Sequence, residues 1–156
     1  MQLPQSVWSR RLESEYSEMQ QSGLTFTVSP DKSEYLIEFK ARGYTYSGGM
    51  VSPAYYHKVK VCLNRSFPYP GGVEVAWISP IFHPNIRSQD GKVCIHLLNN
   101  WSGLTSVAGI AAGLVHLVEN PNTMDALDKK AAQYFAANFV GNAPANNKPK
   151  IVSGIG

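Results

Sequence analysis

The amino-terminal half of the chain combines one helical pattern with several alternating ones. Apolar residues recur at steps of three and four between residues 6 and 22, which predicts a helix capped by Ser6 and ended by Gly23. Alternation predicts four strands, near residues 26–28, 35–42, 57–63 and 73–78. The intervening segments, including a loop-like stretch at 43–53, are too short for crossover helices. We therefore expect an antiparallel meander with one face packed against helices.

The alternation also predicts which strand residues face the core. These are Tyr35, Ile37, Phe39 and Ala41 on one strand and Val59, Val61 and Leu63 on the next. Cys62 lies in the second of these strands, and no motif around it suggests a reactive thiol. We therefore interpret it as a residue that fills the core.

The second half begins with a long stretch that has no periodicity. Residues 80–103 are rich in Pro, Asn, Gly and Asp, yet they hold histidine, cysteine and tryptophan, so we expect the functional site here. A helix follows, capped by Thr105 or Ser106 and stopped by Asn120-Pro121. A last helix is predicted from about Asp125 to Phe139.

Composition limits the class of protein. With 156 residues, 44% of them hydrophobic, the chain suits a single domain over residues 1–140 and a flexible tail over 141–156. A net charge of +3 is too small to indicate nucleic-acid binding, and no apolar run is long enough to span a membrane. The two cysteines, Cys62 and Cys94, indicate neither a disulfide scaffold nor a zinc site. We expect a cytoplasmic protein without a metal or other cofactor.

A series of short motifs runs through the aperiodic stretch and beyond it. It reads HPNI from His83, GKVCIHLL around Cys94, WSGLT from Trp101 and NPN at 120–122. The series resembles the ubiquitin-conjugating enzymes, and Phe67-Pro68-Tyr69 is similar to their Tyr-Pro-Phe loop. The resemblance implies an α+β fold with an N-terminal helix, a four-stranded antiparallel meander, an active-site loop segment and two C-terminal helices.

The resemblance also implies a set of active-site residues. Cys94 would accept the C-terminus of a ubiquitin-like protein as a thioester and pass it to a lysine amine or to a ligase. Asn85 would stabilise the oxyanion or brace the active-site loop through backbone hydrogen bonds, and both roles stay open. Asp125 would orient the incoming lysine and take its proton, or would only cap the last helix. His83 and Pro84 would be structural.

Three partners follow from the same resemblance: a ubiquitin-like protein, an activating enzyme and a ligase. Arg10 and Arg11 on the first helix match the face that meets the activating enzyme. Tyr69 and the loop with Trp101 and Ser102 match the two surfaces that seat ligases, where exposed aromatic residues are suitable anchors.

The sequence departs from the family pattern at several places. His83 and Cys94 are separated by one residue more than usual, and His96 stands where many members have an acidic residue. Glycine replaces proline at Gly103 and at Gly71-Gly72, which loosens a loop. There is no room for a long closing helix. These departures imply a divergent member, from a compact bacterial or archaeal pathway.

Two other functions remain as alternatives. One is a noncatalytic binding module of the same fold, against which the retention of Cys94, Asn85 and Asp125 argues. The other is a hydrolase that uses Cys94 and His83. It is disfavoured because Cys94 is not at a predicted helix N-terminus, where a thiolate would be stabilised.

Overall fold

The computed structural model describes residues 2–94, 106–124 and 126–139. Within these ranges the chain forms one helix, a four-stranded antiparallel sheet and two further helices. This order confirms the predicted α+β architecture. In the same part of the chain, no helix is long and apolar enough to cross a membrane. The predicted tail over 141–156 lies outside the described residues.

Helix α1 (Gln5–Gln21) packs its apolar stripe against the core as predicted, burying Trp8, Leu12 and Met19. The N-cap position is Pro4, two residues earlier than predicted, so Ser6 lies inside the helix and the predicted Ser6 cap is wrong. Gly23 follows the end of the helix with a φ of 79°, a conformation that glycine adopts without strain.

The sheet contains four strands in the order of the sequence: β1 (Thr25–Val28), β2 (Glu34–Ser47), β3 (Met50–Leu63) and β4 (Val73–Trp77). All three neighbouring pairs are antiparallel, which confirms the meander. The seven strand residues predicted to face inward are all buried. The interpretation of Cys62 as core filler is wrong. It lies between two inward-facing residues, so its side chain faces the other side of the sheet, where it is only half-buried. Burial raises the pKa of its thiol, and nearby Glu34 adds to this rise.

The loop predicted over residues 43–53 is wrong, because strands β2 and β3 continue through most of it. The register pairs Gly43 with Ala54 and Ser47 with Met50, and only Gly48-Gly49 form the turn. Both turn glycines have positive φ, 59° and 78°, as a tight hairpin requires. The pairing shifts register between Lys40 and Gly43. Beyond Gly43 the strand residues up to Tyr56 are all half-buried or exposed, so the alternation on which the prediction depended ends there.

Helices α2 (Val107–Glu119) and α3 (Lys129–Phe139) complete the described fold. Ser106 caps α2 by accepting a hydrogen bond from the N–H of Gly109 over 3.0 Å, as predicted. Helix α2 packs with α1 and the inner sheet face in the main core. Helix α3 belongs to a smaller apolar cluster, formed by Phe82, Ala131 and Phe135.

Candidate active site

A short antiparallel ladder holds Cys94. The N–H of Cys94 donates to the carbonyl of Asn85 over 2.9 Å, and the next pair of residues forms a bridge. The N–H of Arg87 then donates to the carbonyl of Lys92 over 2.8 Å. The turn closes at Gly91, which has a φ of 75° and where a Cβ atom would overlap the carbonyl of Trp77. The backbone of Cys94 is therefore fixed against the HPN segment.

Cys94 carries a free thiol and is 6% exposed. It is the last residue described before a gap, so His96, Trp101, Ser102 and Gly103 lie outside the described residues. Their predicted roles stay predictions.

The amide of Asn85 bonds to the backbone of a second loop. Its Nδ2 donates to the carbonyl of Asn122 over 2.8 Å, and its Oδ1 accepts the N–H of Asn122 over 2.9 Å. The Asn85 side chain is fully buried. This pair of hydrogen bonds joins the HPN segment to the NPN segment that follows α2. The amide oxygen and one amide hydrogen are thereby committed to bracing, as the second of the two predicted roles requires.

His83 is buried with both ring nitrogens engaged by the backbone. Its Nε2 lies 2.8 Å from the carbonyl of Leu117, and its Nδ1 accepts the N–H of Asn85 over 3.0 Å. Because a carbonyl can only accept, Nε2 carries the proton and Nδ1 does not. Burial lowers the pKa of His83 to about 4, so the ring is neutral at physiological pH. Neither nitrogen is left to take a proton from Cys94, so His83 is not available as the base of the hydrolase alternative that pairs it with Cys94.

Pro84 connects the same segment to the start of α3. Its carbonyl accepts two backbone N–H groups, from Leu127 over 2.8 Å and from Asp128 over 3.0 Å. The Asp128 carboxylate then caps α3 by accepting the N–H of Ala131 over 3.0 Å. The helix therefore begins at Lys129, later than predicted, and its cap is Asp128. The candidate catalytic Asp125 itself lies outside the described residues.

The two arginines predicted to meet an activating enzyme differ in their surroundings. Arg10 is exposed on α1. Arg11 is half-buried, with its Nε 3.0 Å from a Glu15 oxygen and its guanidinium 4.9 Å from the centre of the Phe67 ring. Of the two arginines, only Arg10 is exposed at the surface of α1.

Glu15 is a buried carboxylate that the sequence reasoning missed. It is 3% exposed, and its Oε1 accepts the N–H of Val107, the first residue of α2, over 2.8 Å. Burial raises its pKa, against the opposing effects of the Val107 hydrogen bond and of Arg11. The available signal was an acidic residue inside the apolar stripe, between Leu12 and Met19.

Tyr69 lies in a tight loop and is 46% exposed. Its N–H donates to the carbonyl of Ser66 over 2.7 Å, and its carbonyl accepts the N–H of Gly72 over 3.0 Å. A Cβ atom at Gly72 would overlap the backbone of Phe67. Glycine at this position thus permits a close approach within the loop, whereas the sequence suggested only loosening.

Comparisons with known proteins point to a single enzyme family. The family model for ubiquitin-conjugating enzymes matches residues 11–143. A 20-kDa ubiquitin-conjugating enzyme E2 from Schizosaccharomyces pombe is 27% identical over 135 residues, which cover 82% of this chain and 72% of the relative. A NEDD8-conjugating enzyme from Yarrowia lipolytica is 32% identical over 94 residues, covering 60% of this chain. The chain spans only 48% of that second relative.

Solved structures resemble the chain in fold. An E2 domain of a Toxoplasma gondii ubiquitin-conjugating enzyme aligns with a TM-score of 0.64 and 22% identity, covering 84% of this chain and 88% of that one. A crystal structure from Plasmodium yoelii whose title names a ubiquitin-conjugating enzyme aligns with a TM-score of 0.65 and 21% identity. It covers 90% of this chain and 89% of its own. Both likenesses establish the fold.

Proposed function

Because this chain belongs to the ubiquitin-conjugating enzyme family, we propose that it carries a ubiquitin-like protein as a thioester on Cys94 and transfers it to a lysine amine or a ligase. The observation that carries the proposal is the hydrogen bond from the N–H of Cys94 to the carbonyl of Asn85. It anchors the candidate nucleophile to the HPN segment, which is itself hydrogen-bonded to the backbone carbonyls of Asn122 and Leu117.

Loading of Cys94 is a transthioesterification, in which an acyl group moves from one cysteine thiol to another. The Cys94 thiolate attacks the carbonyl carbon of a thioester held by the activating enzyme, and a new C–S bond forms. The C–S bond to the activating enzyme breaks, and its cysteine leaves as a thiolate. Sulfur is both a good nucleophile and a good leaving group, so the exchange needs no metal or redox cofactor.

Discharge moves the acyl group from sulfur to nitrogen. A neutral lysine amine attacks the thioester carbonyl, the C–N bond forms, the C–S bond breaks, and the amine loses a proton. Asp125 is the proposed proton acceptor and the group that orients the amine. Asn85 is a positioning residue in this scheme, since its amide braces the loop behind Cys94. His83 and Pro84 hold the same segment in place.

The partners follow from this cycle. We assign the exposed Arg10 to the surface that meets an activating enzyme. Arg11 contributes indirectly, because its contact with the Phe67 ring helps to position α1. Tyr69 supplies an exposed aromatic anchor for a ligase. Trp101 and Ser102 are predicted to supply a second ligase surface. We place this activity in the cytoplasm, and its origin in a bacterial or archaeal pathway stays a prediction.

A loading assay tests the proposal. The protein is incubated with ATP, an activating enzyme and a ubiquitin-like protein, and the products are separated on a nonreducing gel. A band that thiols remove is expected for the parent and for Cys62→Ala, the matched cysteine control. Cys94→Ser should give a thiol-resistant oxyester or no adduct, and Cys94→Ala should give none. An adduct that persists with Cys94→Ala would refute the site, and a folded parent that never loads would favour a noncatalytic binding module.

A further inference from the structure

A cleft of about 650 Å³ lies beside the active-site ladder. One wall is the turn of the ladder, another is the tip of the β2–β3 hairpin, and a third is the start of α3. Its floor is aromatic, because Tyr46 stacks on Phe82 with ring centres 5.2 Å apart. The polar groups that line it include Arg87, Gln89, Asp128, Lys129 and Lys130.

The positive charge in this cleft is only partly neutralised. Arg87 is held by Asp90 through two short contacts of 3.0 and 2.7 Å. Asp128 is committed to capping α3. Within the part of the chain that the structure describes, no carboxylate oxygen lies within 4.0 Å of the Nζ atom of Lys129 or Lys130. The two lysines therefore leave the cleft with unpaired positive charge.

Lys130 is held over the aromatic floor. Its Nζ lies 3.8 Å from the centre of the Tyr46 ring, within the range of a cation–π contact. The ring orients the ammonium group without neutralising its charge. An anionic group that enters the cleft would therefore meet a cation whose position is already restricted.

The cleft is close to Cys94 along the backbone. Arg87 lies two residue pairs along the ladder from Cys94, which corresponds to roughly 7 Å. On the other side, Leu127 and Asp128 are bonded to the carbonyl of Pro84, in the segment that holds Cys94. An extended peptide advances about 3.3 Å per residue, so a side chain two or three residues from a reacting lysine would reach the cleft.

We propose that this cleft binds glutamate or aspartate side chains that flank the acceptor lysine of a target protein. The proposal rests on the proposed function, and it adds a substrate class to it. Lys129 and Lys130 supply the unpaired positive charge, and Tyr46 restricts the position of one of them. Free phosphate and nucleic acid are not the intended occupants, because the cleft lies only two ladder pairs from Cys94, within reach of residues that flank a lysine reacting there.

The expected preference is moderate and sensitive to salt. Two partly exposed ion pairs should together change the rate of discharge to the peptide by about threefold to tenfold. Their attraction is screened over about 8 Å at physiological ionic strength and over about 3 Å at 1 M salt.

Single-turnover discharge tests the preference. The Cys94 thioester is mixed with three peptides that each contain one lysine, flanked at the second and third positions on both sides by Glu, by Gln or by Lys. The Glu peptide should discharge about threefold to tenfold faster than the Gln peptide at low salt, and the Lys peptide more slowly. The ratio of Glu to Gln rates should approach one at 1 M salt. Equal rates at low salt would overturn the proposal.

Charge variants identify the surface responsible. In Lys129→Gln/Lys130→Gln the ratio of Glu to Gln rates should fall to about one, and in Lys129→Glu/Lys130→Glu it should invert. Lys40→Gln/Lys60→Gln is the matched control, because it removes the same charge from the outer face of the sheet and should keep the parent ratio. If the control loses the preference as well, the cleft is not its source. Circular dichroism of each variant checks that it is folded.

Direct binding separates this inference from the proposed function. Fluorescein-labelled forms of the same peptides are titrated against the unloaded protein, and fluorescence anisotropy is measured. The Glu peptide should bind more tightly than the Gln peptide to the parent and to the Lys40/Lys60 control, but not to the Lys129/Lys130 variants. A chain that never loads but binds in this way contradicts only the proposed function. A chain that loads but shows no peptide preference contradicts only the cleft.

Discussion

The side-chain amide of Asn85 and the backbone of Asn122 exchange two hydrogen bonds, one in each direction, over 2.8 and 2.9 Å. The carbonyl of Asn85 also accepts the N–H of Cys94. One residue thus links the loop after α2 to the backbone of the candidate nucleophile. A change at Asn85 is therefore transmitted to Cys94 through the backbone, without any contact between the amide and a thioester.

Asn85→Ala should impair both loading and discharge. The variant leaves the N–H and carbonyl of Asn122 without these partners, at a cost of about 1–3 kcal/mol for each group that stays buried. We expect a lower midpoint in urea unfolding and slower steps throughout the cycle, at every pH from about 7 to about 10. Asn138→Ala, which removes an exposed amide on α3, is the control. Normal loading and stability with slow discharge alone would instead assign Asn85 to the oxyanion.

Asp125→Ala should load normally and discharge slowly to free lysine. The deficit should shrink from about pH 7 to about pH 10, because more of the lysine is already neutral at high pH and solvent base then competes with Asp125 as the acceptor of the remaining proton. Single-turnover discharge across this range measures the effect.

Asp128→Ala is the matched variant for Asp125, since Asp128 is the residue that caps α3. It should lower the free energy of unfolding by about 0.5–2 kcal/mol. Asp125→Ala should leave that free energy close to the parent value. If Asp125→Ala instead destabilises the protein and discharges like the parent at every pH, the catalytic assignment is wrong.

His83 should make the protein less stable in mild acid. Burial lowers its pKa from 6.5 to about 4 in the folded protein, so the unfolded chain binds the proton more readily. The stabilising effect is complete above about pH 6.5 and is lost as the pH falls through about 4, with a total on the order of 3 kcal/mol. Burial also lowers the pKa of His57, which acts in the same direction.

Urea unfolding between about pH 4 and about pH 7 checks this dependence. The slope of stability with pH should be shallower in His83→Gln than in the parent, and the difference between the two isolates His83 from His57 and the carboxyl groups. Identical slopes for parent and His83→Gln would contradict the neutral, buried state of this ring.

Arg10→Glu should slow loading by an activating enzyme and leave stability unchanged, because the side chain is exposed. The difference from the parent should be greatest at low salt. Arg11→Glu should destabilise the protein, since it puts a second negative charge beside the buried Glu15. Initial loading rates and thermal unfolding measure the two effects. Lys40→Glu is the control for charge reversal, and an equal loss of rate there would discard the Arg10 surface.

The fold and the candidate nucleophile could be read from local patterns. Strict alternation identified the buried residues from Tyr35 to Ala41, because successive strand residues face opposite sides of a sheet. The same logic failed over 43–53, because the hairpin residues beyond Gly43 are half-buried or exposed on both faces and show no alternation. The motif series around His83 and Cys94 indicated the family, which the match over residues 11–143 confirms.

By itself, the sequence determined which residues are apolar, which can turn the chain and which can react, and these properties specify the meander and the thiol. Only the tertiary structure decided which groups those residues meet. Glu15 lies 92 positions from the N–H of Val107 that it binds, and Asn85 lies 37 positions from Asn122. Such partners are brought together by packing of the helices and loops, which a local pattern does not specify. The contact of Arg11 with the Phe67 ring and the position of Lys130 over the Tyr46 ring depend on the same packing.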